Sequence, residues 1–95
     1  MTEYNQYSEQ DSLKEFHEYL EKTYNGHYGN SDKRSGQVID SIIEAGHGEG
    51  FCVGNIIKYA SRYGKKNGKN VDDLHKVIHY TLLLKHVRDR ENDHD

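Results

Sequence analysis

The chain has 95 residues, of which 33% are hydrophobic and 31% charged, so one domain with a thin core is expected and a two-domain enzyme is excluded. Its formal net charge of -3 argues against bulk nucleic-acid binding, which favours a basic domain. Residues 2–12 are polar and no apolar run approaches the roughly 18 residues of a membrane span, so neither an export leader nor membrane insertion is expected.

Residues 1–11 lack periodicity and read as a flexible arm. Ser12 followed by Glu15 has the spacing of a capping box, which predicts a helix starting there. Leu13, Phe16, Leu20 and Tyr24 then form one apolar stripe at spacings of three and four, with Gly26 as a left-handed stop. Residues 27–36 (HYGNSDKRSG) are turn formers without an apolar pattern and predict a loop. A second helix follows from Val38, Ile39, Ile42 and Ile43, and the GHGEG run from Gly46 to Gly50 should break it.

A third helix is predicted over residues 51–63. Val53, Ile56, Ile57 and Ala60 would face inward, with Asn55, Lys58, Tyr59 and Arg62 on a polar side, and Gly64 would end it. After the GKKNGKN loop, Asn70 can cap a fourth helix that has Asp72 and Asp73 in its first turn, where carboxylates favour the dipole. Leu74, Val77, Ile78, Thr81 and Leu82 form one face of this helix, and Tyr80, Leu83, Leu84 and Val87 another. An apolar arc that wide asks for a second subunit as cover. Residues 89–95 read as a charged tail that frays. The expected fold is therefore all-α, about four helices in a single helical domain over residues 12–88, with helices three and four as a C-terminal antiparallel hairpin and a homo-oligomeric state.

The charge is unevenly distributed. Residues 1–25 hold six acids against two bases, whereas residues 50–71 hold five bases (Lys58, Arg62, Lys65, Lys66, Lys69) and no acid. A local cationic segment in an acidic protein points to a small anionic ligand. The 64–70 loop resembles a phosphate-binding P-loop only in part. Gly64 and Gly68 are one residue too close, Asn70 stands where a hydroxyl is needed, and a helix precedes the loop instead of a strand. Its lysines still bring positive charge to a bendable backbone.

On helix three, Lys58 and Arg62 lie one turn apart, as do Asn55 and Tyr59, and Tyr59 and Tyr63. Two cations and two rings within two turns supply ion pairs for phosphate oxygens and a stacking surface for a base. His75, His79 and His86 fall near one stripe of helix four, yet Lys76, Val77 and Ile78 separate the first two where a metal site of the H-E-x-x-H kind needs glutamate, so no metal is expected. The single cysteine, Cys52, cannot form an internal disulfide or a zinc-cysteine scaffold, which fits a reducing compartment. Flanked by Phe51 and Val53, it should be buried and inert. No residue pattern specifies a catalytic machine.

The run GFCVGNIIKYASRYGKK, then DDLHKVIHYTLLLKH, preceded by His27-Tyr28 and QVIDSIIEA, resembles a family of small bacteriophage proteins called SaV-like or nucleotide-kinase-like. The resemblance rests on His27-Tyr28, Ile43-Glu44, Gly54-Asn55, Lys58-Tyr59, Arg62, Lys65-Lys66, Asp73-Leu74, Lys76 and Tyr80, in that order, across residues 27–86. It implies action on nucleotides in the cytoplasm of an infected bacterium. Small helical phage proteins that sequester nucleotide immune signals offer an analogy, on which the chain is expected to be a sponge for a cyclic nucleotide or an ADP-ribose derivative. In that reading Lys58, Arg62, Lys65 and Lys66 bind phosphates, Tyr59 or Tyr28 stacks on a base, and Asn55 and His27 hydrogen-bond ribose or base edges. One alternative is a nucleoside monophosphate kinase lacking a Walker motif, with magnesium on Asp72 or Asp73. Another is an inhibitor of a host enzyme acting through helix four.

Overall fold

The computed structural model of the chain describes residues 4–25 and 33–93. Four helices follow one another: α1 (Glu9–Thr23), α2 (Lys33–Glu44), α3 (Gly48–Arg62) and α4 (Val71–Asp93). The described residues contain no strand. The chain divides into two compact units, Met1–Ser35 and Gly36–Asp95, and the boundary falls within α2.

In the first unit, α1 begins three residues earlier than the Ser12 capping box predicts. The Oδ1 of Asn5 accepts the Gln10 backbone N–H at 2.9 Å, and Glu9 and Asp11 place acids in the first turn. These interactions satisfy the free end of the helix from further upstream, so residues 5–8 act as a cap and Ser12 is already inside the helix. Phe16 is buried and stacks on Tyr19 with centroids 5.9 Å apart. Leu13 and Tyr24 of the same stripe stay exposed. The Gly26 stop lies outside the described residues, as does most of the loop predicted at 27–36; α2 already begins at Lys33.

In the second unit, the GHGEG run behaves differently from expectation. Gly46 has a φ of 89° and sits where the Gly46 N–H donates to the Ile43 carbonyl and the His47 N–H donates to the Ile42 carbonyl, both at 3.0 Å. That bonding pattern is a Schellman stop, and its positive φ requires glycine. It ends α2, yet α3 starts two residues later at Gly48, because a stop of this kind uses up only the residues that make it. Gly48 is buried where α2, α3 and α4 meet: a Cβ built on it would stand 3.1 Å from both Ile43 Cγ1 and Val87 Cγ2. Only an absent side chain lets the helices approach that closely.

α3 and α4 pack against each other through Cys52 and Val87, the buried apolar side chains of this unit. No side chain among the described residues is fully buried, so the core is as thin as the composition implies. Asn70 caps α4 as expected, with its Oδ1 accepting the Asp72 N–H at 2.9 Å. α4 continues past Arg88 to Asp93, where Lys85 and Arg88 both pair with Asp89 at 2.7 and 3.2 Å. These i,i+4 and neighbouring charges support a final turn that composition alone reads as frayed. Val71, Leu74, Ile78 and Leu82 leave an exposed apolar stripe along α4, while Val87 and Asp73 turn inward. No described helix is long and apolar enough to cross a membrane.

Candidate functional site

The site grows from the polar side of α3. Tyr59 is half-buried, and its ring lies nearly parallel to that of Tyr80 from α4, with centroids 6.0 Å and planes 9° apart. Tyr80 in turn meets Phe51 edge-on at 5.8 Å. Such geometries suit the ring quadrupoles, and the three rings fix the two helices in register. Two ammonium groups converge on Tyr59: Lys58 Nζ from α3 at 5.2 Å from its centroid and Lys76 Nζ from α4 at 4.9 Å. Neither lysine has a carboxylate within ion-pair distance among the described residues. Asn55 donates its Nδ2 hydrogen to the Phe51 carbonyl at 2.9 Å, so part of its hydrogen-bonding capacity is already taken by its own helix.

Arg62 is placed at the end of α3 as the sequence suggests, but it faces a carboxylate of its own chain. Its Nε stands 3.5 Å from Asp73 Oδ1, with the arginine side chain 30% and the aspartate side chain 4% exposed. Neither Arg62 Nε nor Asp73 Oδ2 has a hydrogen-bond partner among the described residues. This is a charge pair of loose geometry at the foot of α4, and it draws the guanidinium inward from the lysine loop. Asp72 and Asp73, read together as magnesium candidates, have separate surroundings: Asp73 is buried, while Asp72 is exposed with His75 Nδ1 at 4.0 Å. Among the described residues, no group of three or more His, Cys, Asp or Glu side chains could hold a metal ion.

The 64–70 loop turns its backbone inward. Gly64 N–H donates to the Gly68 carbonyl at 2.9 Å, and the Lys65 and Lys66 N–H groups donate to the Arg62 carbonyl at 3.0 and 3.2 Å. Gly64, Asn67 and Gly68 adopt positive φ, which makes this tight closure possible. Three amides of the loop are thereby committed, and its lysines Lys65, Lys66 and Lys69 stay exposed to a ligand. His27 and Tyr28 lie outside the described residues.

Cys52 is 2% exposed, and burial pushes its thiol pKa up, as expected of an inert cysteine. The three histidines of α4 do not share an environment. His79 is buried and desolvation lowers its pKa, whereas His86 is exposed. Reasoning from composition and spacing missed the role of Lys76 and Tyr80 beside Tyr59. Their i,i+4 spacing on α4 was the available signal, since it places cation and ring on one face.

These features define a small all-helical protein in which a basic, aromatic surface is assembled from two packed helices. The chain belongs to a family described as a protein of unknown function, DUF3310, whose profile matches residues 22–81. That span includes every candidate site residue named above. No curated protein and no solved structure matches the chain.

Proposed function

We propose that this protein is a phage nucleotide-binding protein that sequesters a nucleotide-derived immune signal without turning it over. The observation that carries the reading is the acid-free run of residues 50–71, which supplies the cations Lys58, Arg62, Lys65 and Lys66, with Lys58 Nζ 5.2 Å from the centre of the Tyr59 ring. Phosphate oxygens suit the cations and a base suits the ring. The resemblance to SaV-like phage proteins supports a nucleotide as the ligand and the infected bacterial cytoplasm as the place of action. A buried Cys52 supports binding over nucleophilic chemistry.

The hairpin and the oligomer belong to the same proposal. Contacts pair Gly48 with Val87, Phe51 with Tyr80 and Arg62 with Asp73, an order that supports α3 and α4 running antiparallel. The exposed stripe of Val71, Leu74, Ile78 and Leu82 supports a second copy as its cover, because apolar rows at this spacing pack helix on helix.

The test is mass spectrometry of small molecules released by heat from protein expressed alongside a nucleotide-signalling defence system. An intact nucleotide is the expected result. Release of no nucleotide overturns the proposal. ATP consumption with a new phosphate ester on a nucleoside monophosphate overturns the sponge in favour of the kinase.

A further inference from the structure

Resting on the nucleotide reading above, we propose that Lys76 of α4 is a ligand-binding residue, and that Lys58 and Lys76 together bracket a doubly charged phosphate group beside Tyr59. The two lysines come from different helices, which pack with Tyr59 stacked on Tyr80. Their ammonium groups stand 5.2 and 4.9 Å from the same ring centre. A ring face attracts a cation modestly, and two like charges gathered at one ring repel each other. No carboxylate among the described residues neutralises either one. An anion between them removes the repulsion and takes a charge-assisted hydrogen bond from each side.

Arg62 sharpens the assignment. It is the residue best shaped for phosphate, but Asp73 already faces its Nε at 3.5 Å, whereas the lysine pair has no internal counter-charge among the described residues. Two ammonium groups match a dianion. The ligand class is therefore a nucleotide with a terminal phosphomonoester or a diphosphate bridge, in preference to a cyclic mononucleotide with its single charge. Lys76 lies outside the acid-free run, and for that reason charge counting along the sequence passes over it.

Calorimetric titration of the full chain with inorganic pyrophosphate at low salt tests the assignment. Wild type should bind, and Lys76→Gln and Lys58→Gln should each weaken binding at least about tenfold, as for loss of one hydrogen bond to a charged group. Lys76→Arg should keep most of the affinity, and Lys85→Gln, whose lysine pairs with Asp89, should leave it unchanged. If Lys76→Gln does not fold, as judged by circular dichroism, the exposed Lys58→Gln decides alone. No binding by wild type, or unchanged affinity in the folded glutamine variants, overturns the assignment. Nucleotide binding that survives Lys76→Gln sinks the lysine bracket and leaves the sponge standing. Pyrophosphate binding with no nucleotide captured leaves the bracket and sinks the sponge.

Discussion

The ion pair between Arg62 and Asp73 makes the most direct energetic prediction. Asp73 is 3% exposed, whereas the Arg62 side chain keeps 30% of its surface in solvent. Removing the arginine therefore leaves a carboxylate that water cannot reach, while removing the aspartate leaves a guanidinium that water can hydrate. Breaking a fully buried pair from one side costs about 3–5 kcal/mol, and the solvent contact of Arg62 together with its loose geometry reduces this to about 1–3 kcal/mol for Arg62→Ala. Asp73→Asn keeps the shape and removes the charge, so its cost should be smaller. Adding Asp73→Asn to Arg62→Ala should then restore stability, because the stranded charge disappears. Urea unfolding monitored by far-UV circular dichroism, arranged as a double-mutant cycle, gives all four values. An Arg62→Ala variant within about 0.5 kcal/mol of wild type, the range of ordinary surface changes, or a double variant no more stable than Arg62→Ala, refutes the reasoning.

Glycines on α3 should respond with opposite signs. Gly48→Ala, with Ile43 Cγ1 and Val87 Cγ2 each 3.1 Å from the new Cβ, should lose about 1–2 kcal/mol by overpacking, while Gly54→Ala, with nothing within 4 Å, should gain about 0.5–1 kcal/mol from helix propensity; equal responses in urea melts would contradict the packing described. The Cys52 thiol should react with Ellman's reagent only on unfolding, and fast reaction in native buffer would show that α3 opens there. The folded pKa of His79 lies below its usual value of 6.5, so the unfolded chain takes up a proton that the folded chain resists. Its contribution is complete above 6.5 and is lost as pH falls through and below that value; His79→Gln should flatten this part of the stability profile, and an identical profile would remove His79 as the cause. Ile78→Lys and Leu82→Lys should reduce the light-scattering mass to the 11.1 kDa of one chain, and a wild-type mass already at that value would exclude self-association through α4.

The helices were legible where short-range chemistry decides them. The apolar spacing of Val38, Ile39, Ile42 and Ile43 identified α2, and Asn70 announced α4 because a side-chain cap acts over only two or three residues. The helix ends that moved did so through interactions that periodicity does not encode. Asn5 caps α1 from outside the apolar stripe, and Lys85 and Arg88 pair with Asp89 in a segment read only as a charged tail. Gly48 to Gly50 looked like a break because glycine disfavours helix interiors. At Gly48 that preference yields to the close approach of Ile43 and Val87, a tertiary fact with no local signature.

The site divides along the same line. Asn55, Lys58, Tyr59 and Arg62 share a helix, so spacing alone put them on one surface. Lys76 and Tyr80 join them only through packing of one helix on another, and Arg62 is drawn toward Asp73 by that same packing. Linear charge counting treats all five bases of residues 50–71 alike, yet fold geometry distinguishes them: Arg62 faces an acid, the loop lysines extend into solvent, and Lys58 shares the Tyr59 ring with a second cation, Lys76. Two like charges at one ring do not add to stability, and under the proposal above they serve anion capture instead. For that reason the convergence on Tyr59 says more about ligand chemistry than the number of lysines in the segment.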